Sequence, residues 1–385
     1  MIAYNHLSLQ NLLTRKETEK AYRSGYITKA EKENIDQSYP VSFYTPNIFV
    51  RIGLFILTVV IALFTLGLIG LLFMNNIEDV VGGIIVFFGL LNYATLELMV
   101  KKNHYKSGVD DALMWISGIS IVGGLNILGN ISWQTNAMII FIVAGFLFAR
   151  FTNIIIAGVA GLSIIAFVFL TFIRLGEMAK AMAPFVVMII SATVYFLAAG
   201  KTKDPAWKNF ADGLQMISVI ALVSLYAGGN YFAVRETSVA MFGLNLQNGE
   251  KIPFAWLFWL LTFAIPALYI TRGLQNKSVV FVRTGLVLVA ATVFTVRNYY
   301  HPLPLEAAAV ICGGILIVIA YALIKYLHEP RHGFTYKKAD DAQIEEQLQL
   351  ESLLIAQTFA QQPKPDDGFQ FGGGSGGGAG ASGEY

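Results

Sequence analysis

A single cysteine, Cys312, is all this chain has, so no intramolecular disulfide can staple it and no CxxC pair can serve redox or zinc chemistry. Charge is scarce as well. Only 14% of 385 residues are Asp, Glu, Lys or Arg, and the net charge of +2 excludes the basic surface that nucleic-acid binding requires. Histidine is rare, with five residues, and proline numbers eleven. Residues 1–46 are polar and helix-like and carry no cleavable signal pattern, so the first apolar run is expected to act as an uncleaved anchor. What remains is apolar: 55% of the residues are hydrophobic, with 28 phenylalanines and 36 glycines carried through long uncharged runs. That is the composition of a chain whose solvent is the lipid bilayer.

Between residues 49 and 327 about ten such runs follow one another, at roughly 49–73, 80–100, 110–129, 135–149, 152–173, 182–199, 211–228, 254–271, 278–296 and 305–327. Each approaches the ~20 residues that cross ~30 Å of hydrocarbon at 1.5 Å per residue. Backbone amides cannot be left bare in lipid, so the runs are expected to be helices. The expected fold is an all-α polytopic transmembrane bundle, residues 47–328, with a helical hairpin before it (1–46) and a tail after it (329–385). Little more than Ala149-Arg150-Phe151 separates the fourth and fifth runs, so one long re-entrant element is the alternative there.

The hairpin is read over residues 6–38. Leu7, Leu9, Leu12 and Leu13 begin one helix, Gly25 is its C-terminal cap, and Thr28-Lys29-Ala30-Glu31 is a capping box opening a second helix before Pro40. Lysine and arginine set the threading. With the N-terminus inside, only Arg174, Lys180, Arg235, Lys251 and Arg297 of the 27 fall outside. Both termini are therefore assigned to the cytoplasm. The longest outer connection, about 229–253, contains Asn248-Gly249, a two-residue turn signal for a small β-hairpin. In the tail, residues 339–361 read as a polar helix with Ile344, Leu348, Ile355 and Phe359 on one face, suited to docking on protein. The Gly/Ser-rich end after Phe371 reads as flexible.

Chemical motifs are few. His328-Glu329-Pro330-Arg331-His332 matches the zinc-protease pattern H-E-x-x-H, but proline between the histidines removes the helical turn that would place both on one metal. No Walker loop, GxSxG or dinucleotide fingerprint occurs in a usable context, so no catalytic residue, metal or cofactor is assigned. On the inner side, Glu97 is expected to pair with Lys101 one turn on, and Asp110, Asp111 and Asp212 to sit at helix starts. Arg51 and Arg283 are expected to snorkel to the surface. These read as structural. The outer side is the candidate ligand site: Arg297, Tyr299, His301 and Glu306 around the last connection, with Trp133, Arg174 and Arg235 at similar depth. Small residues four apart, Ser120 and Gly124, Ala157 and Gly161, Ala309 and Gly313, read as helix-packing positions.

Three stretches carry a likeness: Ser24-Gly-Tyr-Ile-Thr-Lys-Ala-Glu31 ahead of the first span, Asp111-Ala-Leu-Met-Trp115, and Tyr299-Tyr-His-Pro-Leu-Pro-Leu-Glu306. Together they resemble a class of bacterial polytopic membrane proteins that share a domain of unknown function. The resemblance implies a bacterial inner-membrane protein and transfers no activity. The expected function is a transporter or small-ligand binder. The alternatives are a scaffold or sensor recruiting a cytoplasmic protein partner through its terminal segments and, third, a membrane enzyme acting on a lipid-linked sugar.

Overall fold

The structure is a computed structural model that describes residues 2–23, 26–73, 77–202, 204–243, 252–276 and 278–300, with Val310, Gly313, Gly314, Ile317, Tyr321 and Lys325. Two helices make the amino-terminal hairpin, α1 (His6–Arg23) and α2 (Lys29–Ser38). The long helices follow: α3 (Ile48–Leu72), α4 (Ile77–Lys101), α5 (Val109–Gly129), α6 (Trp133–Phe151), α7 (Ile154–Phe172), α8 (Glu177–Thr202) and α9 (Ala211–Gly229). A short α10 (Tyr231–Phe242) precedes α11 (Ala255–Gln275) and α12 (Val279–Tyr300). Among the described residues nine helices are long and apolar enough to cross a membrane, and the fold is an all-α polytopic bundle. They coincide with the first nine apolar runs; the tenth, 305–327, the histidine motif and the tail helix lie outside the continuously described chain.

Local sequence explains the boundaries. Asn47, Ser132 and Asn153 each turn a side-chain oxygen onto an amide of the first turn of α3, α6 and α7. Thr28 and Glu31 form the capping box that opens α2. The α6 and α7 runs are separate helices, joined by Thr152 in the left-handed region and Asn153 as N-cap, and they pack on each other. The connection after α9 contains a helix. Asn230 caps α10, which fills Tyr231–Phe242, whereas Asn248-Gly249 lies outside the described residues.

Packing proceeds by neighbouring pairs, α4 with α5, α6 with α7, α8 with α9 and α11 with α12, and α7 against α9 links the early pairs to the late ones. Lipid gives helices no hydrophobic reason to associate, so close contact rests on small residues. Gly124 of α5 lies against Gly82 and Val86 of α4, and a Cβ there would stand 2.7 Å from the Gly82 carbonyl oxygen. Of the expected small pairs, Gly124, Ala157 and Gly161 sit in such contacts. On the same helix Ser117 is buried, its carbonyl oxygen 3.1 Å from where a Cβ on Gly89 would stand, while Ser120 is half-buried.

Candidate functional site

Two groups of polar side chains lie at opposite ends of the bundle. At the end where the hairpin docks, each carboxylate is spent on joining elements. Asp111, in the first turn of α5, accepts from Arg51 Nε at 2.9 Å and Nη2 at 2.6 Å and from Asn153 Nδ2 at 3.4 Å, tying α3, α5 and α7 together. Asp110, 1% exposed, accepts from the Lys106 amide, the Ser107 amide and hydroxyl (2.8, 2.8 and 2.9 Å) and the Tyr4 hydroxyl at 3.4 Å. Glu97 takes both arms of Arg150, at 2.8 and 2.9 Å, and the Tyr93 hydroxyl at 2.7 Å.

Two expectations are corrected there. Glu97 bonds across to α6 rather than along its own helix to Lys101, because a planar guanidinium can meet both carboxylate oxygens and an ammonium cannot. Arg51 turns to Asp111 instead of snorkelling. Over these clamps Tyr4, Phe43, Tyr105 and Phe151 form a ring cluster, and the Ala3 amide donates to the Arg150 carbonyl at 2.9 Å. Burial, with the negative charge of Asp110, holds the Tyr4 phenol far above its ordinary range, so it stays a donor. Burial likewise pushes Tyr105 up to about 12 and lowers the Lys106 ammonium.

The distal group is built from neutral residues. Helix α9 stops at Gly229 and α10 starts at Tyr231, so Asn230 stands in a break, and its side-chain oxygen caps α10 through the Ala233 amide at 3.0 Å. Its amide nitrogen reaches the Tyr226 hydroxyl at 2.8 Å and the Thr295 hydroxyl at 2.9 Å. Tyr226 lies 3.0 Å from the Thr292 hydroxyl, which lies 3.0 Å from the Thr262 carbonyl. That carbonyl is special. Its helical donor would be residue 266, which is proline and has no N–H, so the orphaned acceptor takes its proton from the neighbouring helix. Gly285 permits the approach: a Cβ there would stand 3.3 Å from the Pro266 carbonyl oxygen and 2.8 Å from Ile270 Cγ1. The Thr262 hydroxyl in turn accepts the Tyr231 amide at 2.9 Å. Above this floor Tyr231 stacks on Trp259 with ring centres 4.8 Å apart, and Tyr299 meets both edge-on.

Only part of the sequence-derived site assembles here. Tyr299 and Arg235 meet: the guanidinium lies 5.4 Å from the ring centre, and Glu236 accepts from Arg235 at 3.1 Å and from the Tyr299 hydroxyl at 3.3 Å. Arg297 does not join them. It follows the buried Thr295 by two residues, about 200° around α12, on the side of the exposed Phe294, and its Nη1 is buried without a hydrogen-bond partner among the described residues. Trp133, 80% exposed, and Trp256, 70% exposed, stand outward in the manner of an interfacial aromatic belt. Arg174 is exposed in the 3-10 turn Ile173–Leu175 after α7. His301 and Glu306 lie outside the described residues.

Sequence reading missed Tyr226, Asn230, Thr262, Thr292 and Thr295, because uncharged hydroxyls and amides do not stand out within apolar runs. The signals available were Asn230 after Gly228-Gly229, which marks a helix break, and Pro266 inside a span. Among the described residues no group of three His, Cys, Asp or Glu could hold a metal ion. Compared with protein-family models, with curated proteins and with solved structures, the chain has no match in any of the three.

Proposed function

We propose that this membrane protein is a transporter or small-ligand binder whose ligand path passes through the distal half of α9–α12. One observation carries the reading: Asn230, at the break where α9 ends, and the carbonyl that Pro266 leaves without a helical donor in α11 are joined through the side chains of Tyr226 and Thr292. An interruption inside a span, as at Pro266, is tolerated where protein or a ligand path takes up the freed backbone groups. The five polar residues of the network carry no charge, so the solute it suits is neutral and hydrogen-bonding. Arg235, Glu236 and Tyr299 stand at its rim.

The test is thermal unfolding of the full chain in lipid nanodiscs with millimolar sugars, polyols and nucleosides, and with amino acids and carboxylates as charged controls. A neutral class should raise the melting temperature by linkage, and Thr295→Val should remove the rise. No stabilisation by any neutral class, or an undiminished rise in the variant, overturns the reading. The lysines and arginines of the hairpin end, with the resemblance noted above, support a bacterial inner membrane and cytoplasmic termini.

A scaffold or sensor role draws on a different observation. The hairpin docks through ion pairs open to solvent, Lys208 with Glu17 at 2.8 Å and Lys16 with Asp212 at 3.9 Å, which a competing partner could replace. Truncation after Arg331, set against Arg235→Ala and Tyr299→Ala at equal protein levels, separates the two readings. Loss of phenotype on truncation alone favours the scaffold.

A further inference from the structure

We propose that Thr292 is a hydrogen-bond latch coupling the α9/α10 break to the carbonyl that Pro266 frees in α11, so that α10 moves as a gate over the hydroxyl floor. The inference deepens the ligand-path reading and rests on it for its purpose, though its test needs no ligand.

Proton counting sets the polarity of the chain. The Asn230 amide donates to Tyr226, which leaves the single Tyr226 proton for Thr292 and the single Thr292 proton for a carbonyl. Two carbonyls compete for it at the same distance, 3.0 Å: that of Thr262 on α11 and that of Leu288 on the same helix. The two are not equivalent. Leu288 occupies a regular turn and already has the Thr292 amide as helical donor, whereas Thr262 has lost its donor to Pro266. With the proton on Thr262, every group in the network is satisfied and α10 is held down through Asn230 and through the Tyr231 amide on Thr262 Oγ1. With the proton on Leu288, the Thr262 carbonyl is bare and needs another donor, which a water or a solute hydroxyl entering beneath α10 supplies. A single-bond rotation thus has two defined states, one of which asks for a hydrogen-bond donor from outside the protein.

The experiment uses the full chain in nanodiscs with Cys312→Ser, spin labels at Ala240→Cys on α10 and Leu286→Cys on α12, and pulsed electron-resonance distances. A reference pair, Phe146→Cys with Leu162→Cys, reports on α6 and α7. Thr292→Val should raise the population of a second α10–α12 distance about fivefold to tenfold, the worth of the two interhelical hydrogen bonds it removes. Thr292→Ser should restore the wild-type distribution, and the reference pair should not change. The decisive arm is Pro266→Ala, which gives Thr262 its helical donor back. In that background Thr292→Val should have a smaller effect on the distances, because only the Tyr226 proton then loses its acceptor. An undiminished effect there, an unchanged distribution in Thr292→Val alone, or equal broadening of the reference pair refutes the latch. The solute-melting experiment can fail while this one succeeds, so the two readings fall separately.

Discussion

Gly123 and Gly124 are neighbours on α5, and the structure assigns them opposite responses to the same substitution. An alanine Cβ at Gly124 would stand 2.7 Å from the Gly82 carbonyl oxygen, 2.7 Å from Val86 Cγ2 and 2.7 Å from the Val86 amide nitrogen. Carbon contacts settle near 3.5–4.0 Å, so α4 and α5 must part by about 1 Å. Two of the three obstructing atoms are backbone and cannot rotate away. A gap of that size forfeits roughly a quarter to a half of each contact along the pair, and overpacking of this kind typically costs about 1–3 kcal/mol. At Gly123, about 100° around the helix, nothing lies within 4 Å. Alanine there meets no obstacle and gains up to about 1 kcal/mol of helix propensity. The propensity gain is common to both substitutions, so equilibrium unfolding of both variants in mixed micelles should separate them by about 1–3 kcal/mol, with Gly124→Ala the less stable. If Gly124→Ala unfolds no more easily than Gly123→Ala, close α4–α5 contact is not what holds this pair.

Three further outcomes follow from particular side chains. Ser191 of α8 is fully buried and its hydroxyl has no partner among the described residues, so Ser191→Ala should stabilise the protein by about 1 kcal/mol in the same unfolding assay; a loss of stability would mean the hydroxyl is bonded. Thr152 is β-branched yet left-handed at φ 52°. Thr152→Asn should raise stability by roughly 0.5–1 kcal/mol, and an unchanged or lower melting point would refute strain at that turn. Glu19 is held below the usual carboxylate range chiefly by its hydrogen bond from Lys32, with Arg23 adding to it. A depressed folded pKa contributes stability that is complete above the unfolded value and lost as pH falls through the folded one, so α2 should loosen from α1 as pH drops below about 4.5. Limited proteolysis between α1 and α2 reads this directly, and cleavage that is insensitive to pH, or equally sensitive in Glu19→Gln, would contradict it.

How much was legible in the sequence differs between backbone and side chains. Nine spans could be read because a bilayer imposes one length and one polarity on every helix that crosses it, and the capping box at Thr28 and Glu31 was equally plain. The partner of Glu97 was not legible. Lys101 satisfies the local rule as well as any sequence can, and nothing local reveals that Arg150 arrives in the same place with better geometry. The distal hydroxyl network was not legible for a related reason. Charged residues drew attention to Arg297 and Arg174, yet Arg174 is exposed and Arg297 Nη1 is buried without a hydrogen-bond partner among the described residues. The residues that do converge are threonines, a tyrosine and an asparagine, whose significance depends on a proline four residues from one of them and on a helix 30 residues further along the chain.

The pairing of Glu97 with Arg150 also fixes an order of events during synthesis. The two residues are 53 positions apart, and at about 5–20 residues per second the carboxylate emerges roughly 3–10 s before the guanidinium that takes both of its oxygens. During that interval α4 and α5 have left the ribosome without the clamp. Because Thr152 and Asn153 alone join α6 to α7, the arginine cannot be delivered by α6 settling at leisure; it arrives with a helix whose successor follows at once. Until the fourth span arrives, the Glu97 carboxylate has only the Tyr93 hydroxyl of its own helix to bond, so the clamp between α4 and α6 closes last among the first four spans.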